Sequence, residues 1–143
     1  MPPVEAIEPS KFAEPARKVL VVEDEIALAV QIEECLKEEG YDVIDVVNTA
    51  EEAVAIAIAD QPDVVFMDIR LAGDSDGIKA ACEILERTGI RSIFATGHAD
   101  EATRARGAAA RPVAWLEKPF GIAAIVKAVN AAFQSDGQVR EQP

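Results

Sequence analysis

Four stretches of this 143-residue chain end in side chains that together suit phosphoryl chemistry. The apolar run Val64-Val65-Phe66-Met67 stops at the carboxylate of Asp68, and Lys18-Val19-Leu20-Val21-Val22 stops at Glu23-Asp24-Glu25. Ser92-Ile93-Phe94-Ala95 runs into the hydroxyl of Thr96, and Val113-Ala114-Trp115-Leu116 leads through Glu117 to the ammonium of Lys118. Carboxylates gathered in one cleft repel each other, and the usual remedy is a hard divalent cation that keeps waters and room for phosphate oxygens. Mg2+ is the natural candidate; coordination geometry, rather than side-chain type, selects it over Ca2+. A carboxylate nucleophile, a divalent cation, an ammonium and a hydroxyl on one rim are what phosphoryl transfer to Asp68 requires. Cation and lysine neutralise the equatorial oxygens while the carboxylate attacks in line. Each residue also has a plainer reading: Asp68 as a turn cap, Glu23 to Glu25 as an acidic first helical turn, Thr96 as a strand-end cap, Lys118 as a solvated charge before proline. Their joint appearance at four strand ends argues for a site.

The elements that must position these groups follow from periodicity. Short β-branched runs bounded by turn residues read as strands buried on both faces, the habit of a parallel sheet, and Asp42 to Val47 supplies one more. Between them, apolar residues recur at helical spacing. Leu28, Ile32, Cys35 and Leu36 are stopped by Gly40; Ala50, Ala53, Val54, Ala57 and Ile58 follow an N-cap at Thr49 or Asn48 and end at Gln61-Pro62. Ile78, Ala81, Cys82 and Leu85 are closed by Gly89, and Ile122, Ile125, Val126, Val129 and Phe133 line the last helix. The fourth helix, Asp100 to Ala109, offers mainly alanines to a core, so it is expected to be short or mobile.

Five strands alternating with five helices predict an α/β fold, a doubly wound (βα)5 three-layer sandwich of the flavodoxin-like kind. In the strand order 2-1-3-4-5 the switch point lies between the first and third strands, whose ends carry Glu23, Asp24 and Asp68. The folded domain is expected over 18–134. A disordered tail over 1–17, holding four of the eight prolines, precedes it, and a polar tail over 135–143 follows.

Composition narrows the partners. Half the residues are hydrophobic and the formal net charge is -12, which argues against non-specific nucleic-acid or anionic-membrane binding and favours a cation. Cys35 and Cys82 fall on apolar helical positions, as small core residues rather than a disulfide, a metal site or a nucleophile. No segment approaches a membrane span and the start lacks a secretory signal, so a cytoplasmic protein is expected.

The acids of VVEDE, the aspartate of VVFMDIRL, the threonine of FATGH and the lysine-proline of LEKPF resemble the receiver domains of two-component response regulators, over about Lys18 to Phe133. The resemblance implies Asp68 as phosphoacceptor, and Glu23, Asp24, Asp68 and the backbone carbonyl of Arg70 as ligands of Mg2+. It further implies Thr96 and Lys118 as the switch hydroxyl and phosphate counter-ion, Trp115 at an aromatic switch position, and Lys118-Pro119 as a candidate cis peptide. A half-buried strand residue is the equal alternative for Trp115. FATGH is also similar to a stand-alone receiver subgroup with a phenylalanine-alanine-threonine-glycine signature. There are departures. Ala72 replaces a frequent proline, the turn is one residue longer before Gly77, Arg91 and Ser92 replace the subgroup's proline and phenylalanine, and His98 stands where glycine or tyrosine is expected.

The function expected is that of a stand-alone switch rather than an enzyme. A sensor histidine kinase or histidine phosphotransfer protein presents phosphohistidine, Asp68 takes the phosphoryl group, and the fourth helix, fifth strand and fifth helix, with Arg104, Arg106 and Trp115, form the face read by a downstream protein. The chain is expected to be a monomer or weak dimer acting as effector, phosphorelay intermediate or phosphate sink. Two alternatives stand: a receiver-like docking module that is never phosphorylated, and a metal-dependent phosphatase, disfavoured because Arg70 occupies the position of its general acid.

Overall fold

A computed structural model describes residues 15–71 and 75–141, with side chains placed as far as residue 134. The expected N-terminal tail lies outside the described residues up to residue 14, as do Ala72, Gly73 and Asp74 of the turn after Asp68.

The elements run β1 (Lys18–Val22), α1 (Ile26–Glu38), β2 (Asp42–Val47), α2 (Ala50–Asp60), β3 (Val64–Asp68), α3 (Gly77–Thr88), β4 (Ser92–Thr96), α4 (Glu101–Gly107), a 3-10 turn (Ala108–Ala110), β5 (Ala114–Glu117) and α5 (Ile122–Glu141). All pairings are parallel, in the order β2-β1-β3-β4-β5. This is the expected doubly wound sheet, with its switch point between β1 and β3.

The period of two along each strand divides the core. Val19, Val21, Phe66, Ile93 and Ala95 face Ile32 and Leu36 of α1 and Ile125 and Val129 of α5. Leu20, Val22, Val65, Met67 and Phe94 face Ala53 and Ala57 of α2 and Ile78, Ala81 and Ile84 of α3. Covered on both faces and paired on both edges, β3 and β4 are buried along their whole length, which is why their sequences are apolar without alternation.

Local chemistry sets the helix ends. Thr49 caps α2 by accepting from Glu52 N at 3.2 Å, and Asp76 caps α3 by accepting from Ile78 N at 2.9 Å. Gly89 closes α3 at φ +81°, in the left-handed region that favours glycine. As expected, α4 is short: seven residues, with only Gly107 of them buried.

Three boundaries differ from expectation. The last helix continues to Glu141, so residues 135–141 extend α5 instead of forming a separate polar tail. The fifth strand starts at Ala114 and includes Glu117. Arg17, assigned to the tail, belongs to the domain: its carbonyl accepts from Asp42 N at 2.9 Å and its guanidinium lies 4.8 Å above the Phe133 ring.

Candidate functional site

The carboxyl ends of β1 and β3 meet at the switch point. Asp68, the last residue of β3, is 3% exposed, and Glu23, immediately after β1, is 2% exposed. Asp24 beside it is exposed, and the three carboxylates lie within 4.8 Å of one another. Lys118 reaches in from the end of β5 to donate to Asp68 Oδ2 and to Glu23 Oε2, each at 3.3 Å. Its entry is fixed by its own backbone, for Lys118 N donates to the Thr96 carbonyl at 2.8 Å and continues the β4–β5 ladder. The Lys118-Pro119 peptide is cis, and Phe120 beyond it packs edge-on against Phe66 with centroids 6.0 Å apart.

The loop after β3 is held equally closely. Arg70 N donates to Asp68 Oδ1 at 3.3 Å, Ile69 N to the Ala95 carbonyl at 3.1 Å, and Gly77 N to the Ile69 carbonyl at 2.8 Å. A Cβ at position 77 would stand 2.0 Å from the Asp68 carbonyl oxygen, so only glycine allows the first turn of α3 to press against the strand end.

Charge is unevenly matched here. Two buried carboxylates share one ammonium, and Asp68 is pushed up to about 7, first by burial and then by the neighbouring Glu23 charge, against the pull of Lys118. Burial pulls the Lys118 ammonium down, but Asp68 and Glu23 together outweigh it and raise it. Glu23 Oε1 is buried with no hydrogen-bond partner among the described residues; it lies 3.2 Å from Lys118 Nζ but outside hydrogen-bonding alignment. An orphaned buried carboxylate oxygen, next to two more carboxylates, is a donor set that suits a hard oxygen-liganded cation such as Mg2+.

Thr96 ends β4 on the same rim, 6% exposed. Its hydroxyl faces its own loop: it accepts from His98 N at 3.2 Å and donates to the His98 carbonyl at 3.3 Å. The structure thus brings Glu23, Asp24, Asp68 and Lys118 together and sets Thr96 on the same rim, bonded within its own loop. Trp115 lies apart from this cluster. Half-buried on β5, it packs 5.0 Å from the Phe94 ring, beneath the Arg104 guanidinium at 5.0 Å, and its indole edge fills the space a Cβ at Gly107 would need. His98 is exposed, 3.5 Å from Asp100.

Sequence reasoning passed over Asp76 and the closeness of Gly77. The signal for Asp76 was present, a carboxylate immediately before an apolar-periodic run, but the long glycine-rich turn offered two acids for the role, Asp74 and Asp76.

The profile of the response regulator receiver domain matches residues 19–130. The chain belongs to that family. It is 37% identical over 118 residues to the transcriptional regulatory protein PdtaR of Mycobacterium tuberculosis, a match covering 81% of this chain and 56% of that protein. It spans about half the length of the curated relatives it matches. Among solved structures, the signal receiver domain of a modulated diguanylate cyclase from Desulfovibrio desulfuricans superposes with a TM-score of 0.78 at 30% identity, covering 86% of this chain and 98% of that one. The CheY of a CheX-CheY-BeF3-Mg complex from Borrelia burgdorferi matches at a TM-score of 0.75 and 25% identity, over 82% of this chain and 89% of that one. This receiver domain is a regulatory module of a two-component system, and none of its described helices is long and apolar enough to cross a membrane.

Proposed function

We propose that Asp68 accepts a phosphoryl group from a phosphohistidine donor, a sensor histidine kinase or a histidine phosphotransfer protein, and that the acyl phosphate switches the α4–β5–α5 face. The observation that carries this reading is the placement of Asp68: a buried strand-end carboxylate 3.3 Å from the Lys118 ammonium and within 4.8 Å of two further acids.

Glu23, Asp24 and Asp68 would hold Mg2+ with the Arg70 carbonyl. When bound, the ion supplies charge neutralisation and a template for the phosphoryl oxygens. Asp68 attacks phosphorus in line; the new bond is carboxylate oxygen to phosphorus, the broken one phosphorus to imidazole nitrogen, whose electron pair leaves with the donor's ring. Lys118 then pairs with a phosphoryl oxygen, and the product adds about -1.5 to -2 charges at one point. Thr96 turns from His98 toward those oxygens and draws the β4–α4 loop inward. Trp115, seated under Arg104 and against Gly107, carries the change to the output face. At the phosphatase acid position stands Arg70, whose backbone N–H serves Asp68. The reading places the protein in the cytoplasm as a monomer or weak dimer, signalling to a downstream protein, relaying phosphate or draining it.

Intact mass after incubation with acetyl phosphate tests it. Wild type with Mg2+ gains one phosphoryl mass, while Asp68→Asn and an EDTA control gain none. Folded wild type that stays unmodified with acetyl phosphate and with a phosphohistidine donor leaves the docking-module reading in its place.

A further inference from the structure

The switch helix is tied to the phosphoacceptor's loop by one ion pair. Arg106, in the last turn of α4, donates through Nη2 to Asp76 Oδ2, across 30 residues of chain. Asp76 is itself pinned. Its other carboxylate oxygen caps α3, taking Ile78 N at 2.9 Å and Lys79 N at 3.4 Å, and its backbone forms a bridge with Arg70. The next residue is Gly77, against the Asp68 carbonyl. The anchor therefore cannot follow the helix if the helix moves.

Among the described residues, little else holds α4. Of its residues only Gly107 is buried, and Arg104 rests on Trp115. Between the β3–α3 and β4–α4 loops lies a cavity of about 660 Å3, lined among others by Thr96, His98, Thr103, Asp76 and Arg106. The Thr96 hydroxyl is engaged within its own loop by both backbone groups of His98, and with the loop so held the Arg106–Asp76 ion pair is formed. Turning Thr96 toward Asp68 moves the loop from Gly97 to Asp100, and Asp100 caps α4 by accepting from Thr103 N at 2.8 Å. The helix must shift with its cap, against the Arg106 tether.

We propose that the Arg106–Asp76 ion pair is a latch that holds α4 in the resting position and opposes occupation of Asp68 by a phosphoryl group. The inference rests on Asp68 as phosphoacceptor. By reciprocity, whatever the latch costs the phosphorylated state it also costs the affinity for a phosphoryl mimic. The pair is half-exposed, so the effect is modest, about two- to fivefold.

The test is titration of the full chain with beryllofluoride in saturating Mg2+, followed by the fluorescence of Trp115, the one tryptophan. Arg106→Ala and Asp76→Asn, which keeps the capping oxygen, should each bind about two- to fivefold more tightly than wild type, and the double variant no more tightly than either. Arg106→Lys should restore part of the difference. In ligand-free protein, amide exchange across 101–110 should quicken in Arg106→Ala by a similar factor. Equal affinities, additive effects, weaker binding by Arg106→Ala or unchanged exchange each overturn the latch. Wild type that binds no beryllofluoride overturns the reading of Asp68 and the coupling with it, whereas wild type that binds as the variants do overturns the latch alone.

Discussion

The rim of the sheet has two halves, and they are built to different standards. At β1 and β3, Glu23 and Asp68 are buried to 2–3% exposure, the apolar runs Val19–Val22 and Val64–Met67 are buried, and the following loop is hydrogen-bonded back to Asp68, Ile69 and Ala95. Beyond β4 the support thins: β5 is half-buried, α4 is seven residues long, and it is secured by a cation over an indole, an ion pair and one buried glycine. Phosphoryl chemistry needs groups held to within fractions of an ångström, whereas a switch needs an element whose two positions differ by little free energy. One half has the rigidity for the first task and the other has the slack for the second. The groups between them, Thr96 at the end of β4 and Lys118 just after β5, lead into the loose half and stand at the rim of the tight one.

Breaking the tight half should have the largest effects. Asp68→Asn should abolish phosphoryl uptake outright, by intact mass, in a protein that still folds. Lys118→Met should slow uptake by about 10²–10³-fold, the usual cost of removing one group that stabilises developing charge. Gly77→Ala forces a Cβ to 2.0 Å from the Asp68 carbonyl oxygen and 2.9 Å from Ile69 Cα, both backbone atoms. It should destabilise by about 3 kcal/mol in urea unfolding.

A further effect separates the halves by pH. Asp68 is raised from 3.8 to about 7, so the native state binds its proton more tightly than the unfolded chain. That contribution is whole below pH 4 and is lost as pH rises through 7. In EDTA, unfolding free energy should therefore fall across that window in wild type, by at most about 1.4 kcal/mol per pH step of one, and fall by less in Asp68→Asn. Saturating Mg2+ should flatten the wild-type curve. The smallest effect lies in the loose half. Gly107→Ala places a Cβ 2.7 Å from the Trp115 ring, a side chain that can give way, so the loss should be about 1 kcal/mol with a change in tryptophan fluorescence and little change in uptake.

The two halves were not equally legible in sequence. Strand ends announced themselves because buried runs such as Val64-Val65-Phe66-Met67 must be apolar on both faces, which makes a terminal Asp68 conspicuous. The doubly wound order follows from alternation and handedness, and it brings Glu23, Asp24 and Asp68 together without any pairwise signal. The attachments of α4 left no such mark. Arg106 and Asp76 are 30 residues apart, and charges at such positions read as solvated surface. Gly77 looked like turn composition when its reason is close approach to a backbone carbonyl. The end of α5 was misplaced for a related reason: residues 135–141 are polar and leave no apolar period to follow, yet they continue the helix.

Hydrogen exchange by mass spectrometry, with Mg2+ alone and with Mg2+ plus beryllofluoride, tests the division of labour most directly. The account predicts that the mimic alters exchange across residues 97–111 and leaves β1 and β3 unchanged. A response confined to β1 and β3, or spread evenly over the domain, would contradict it.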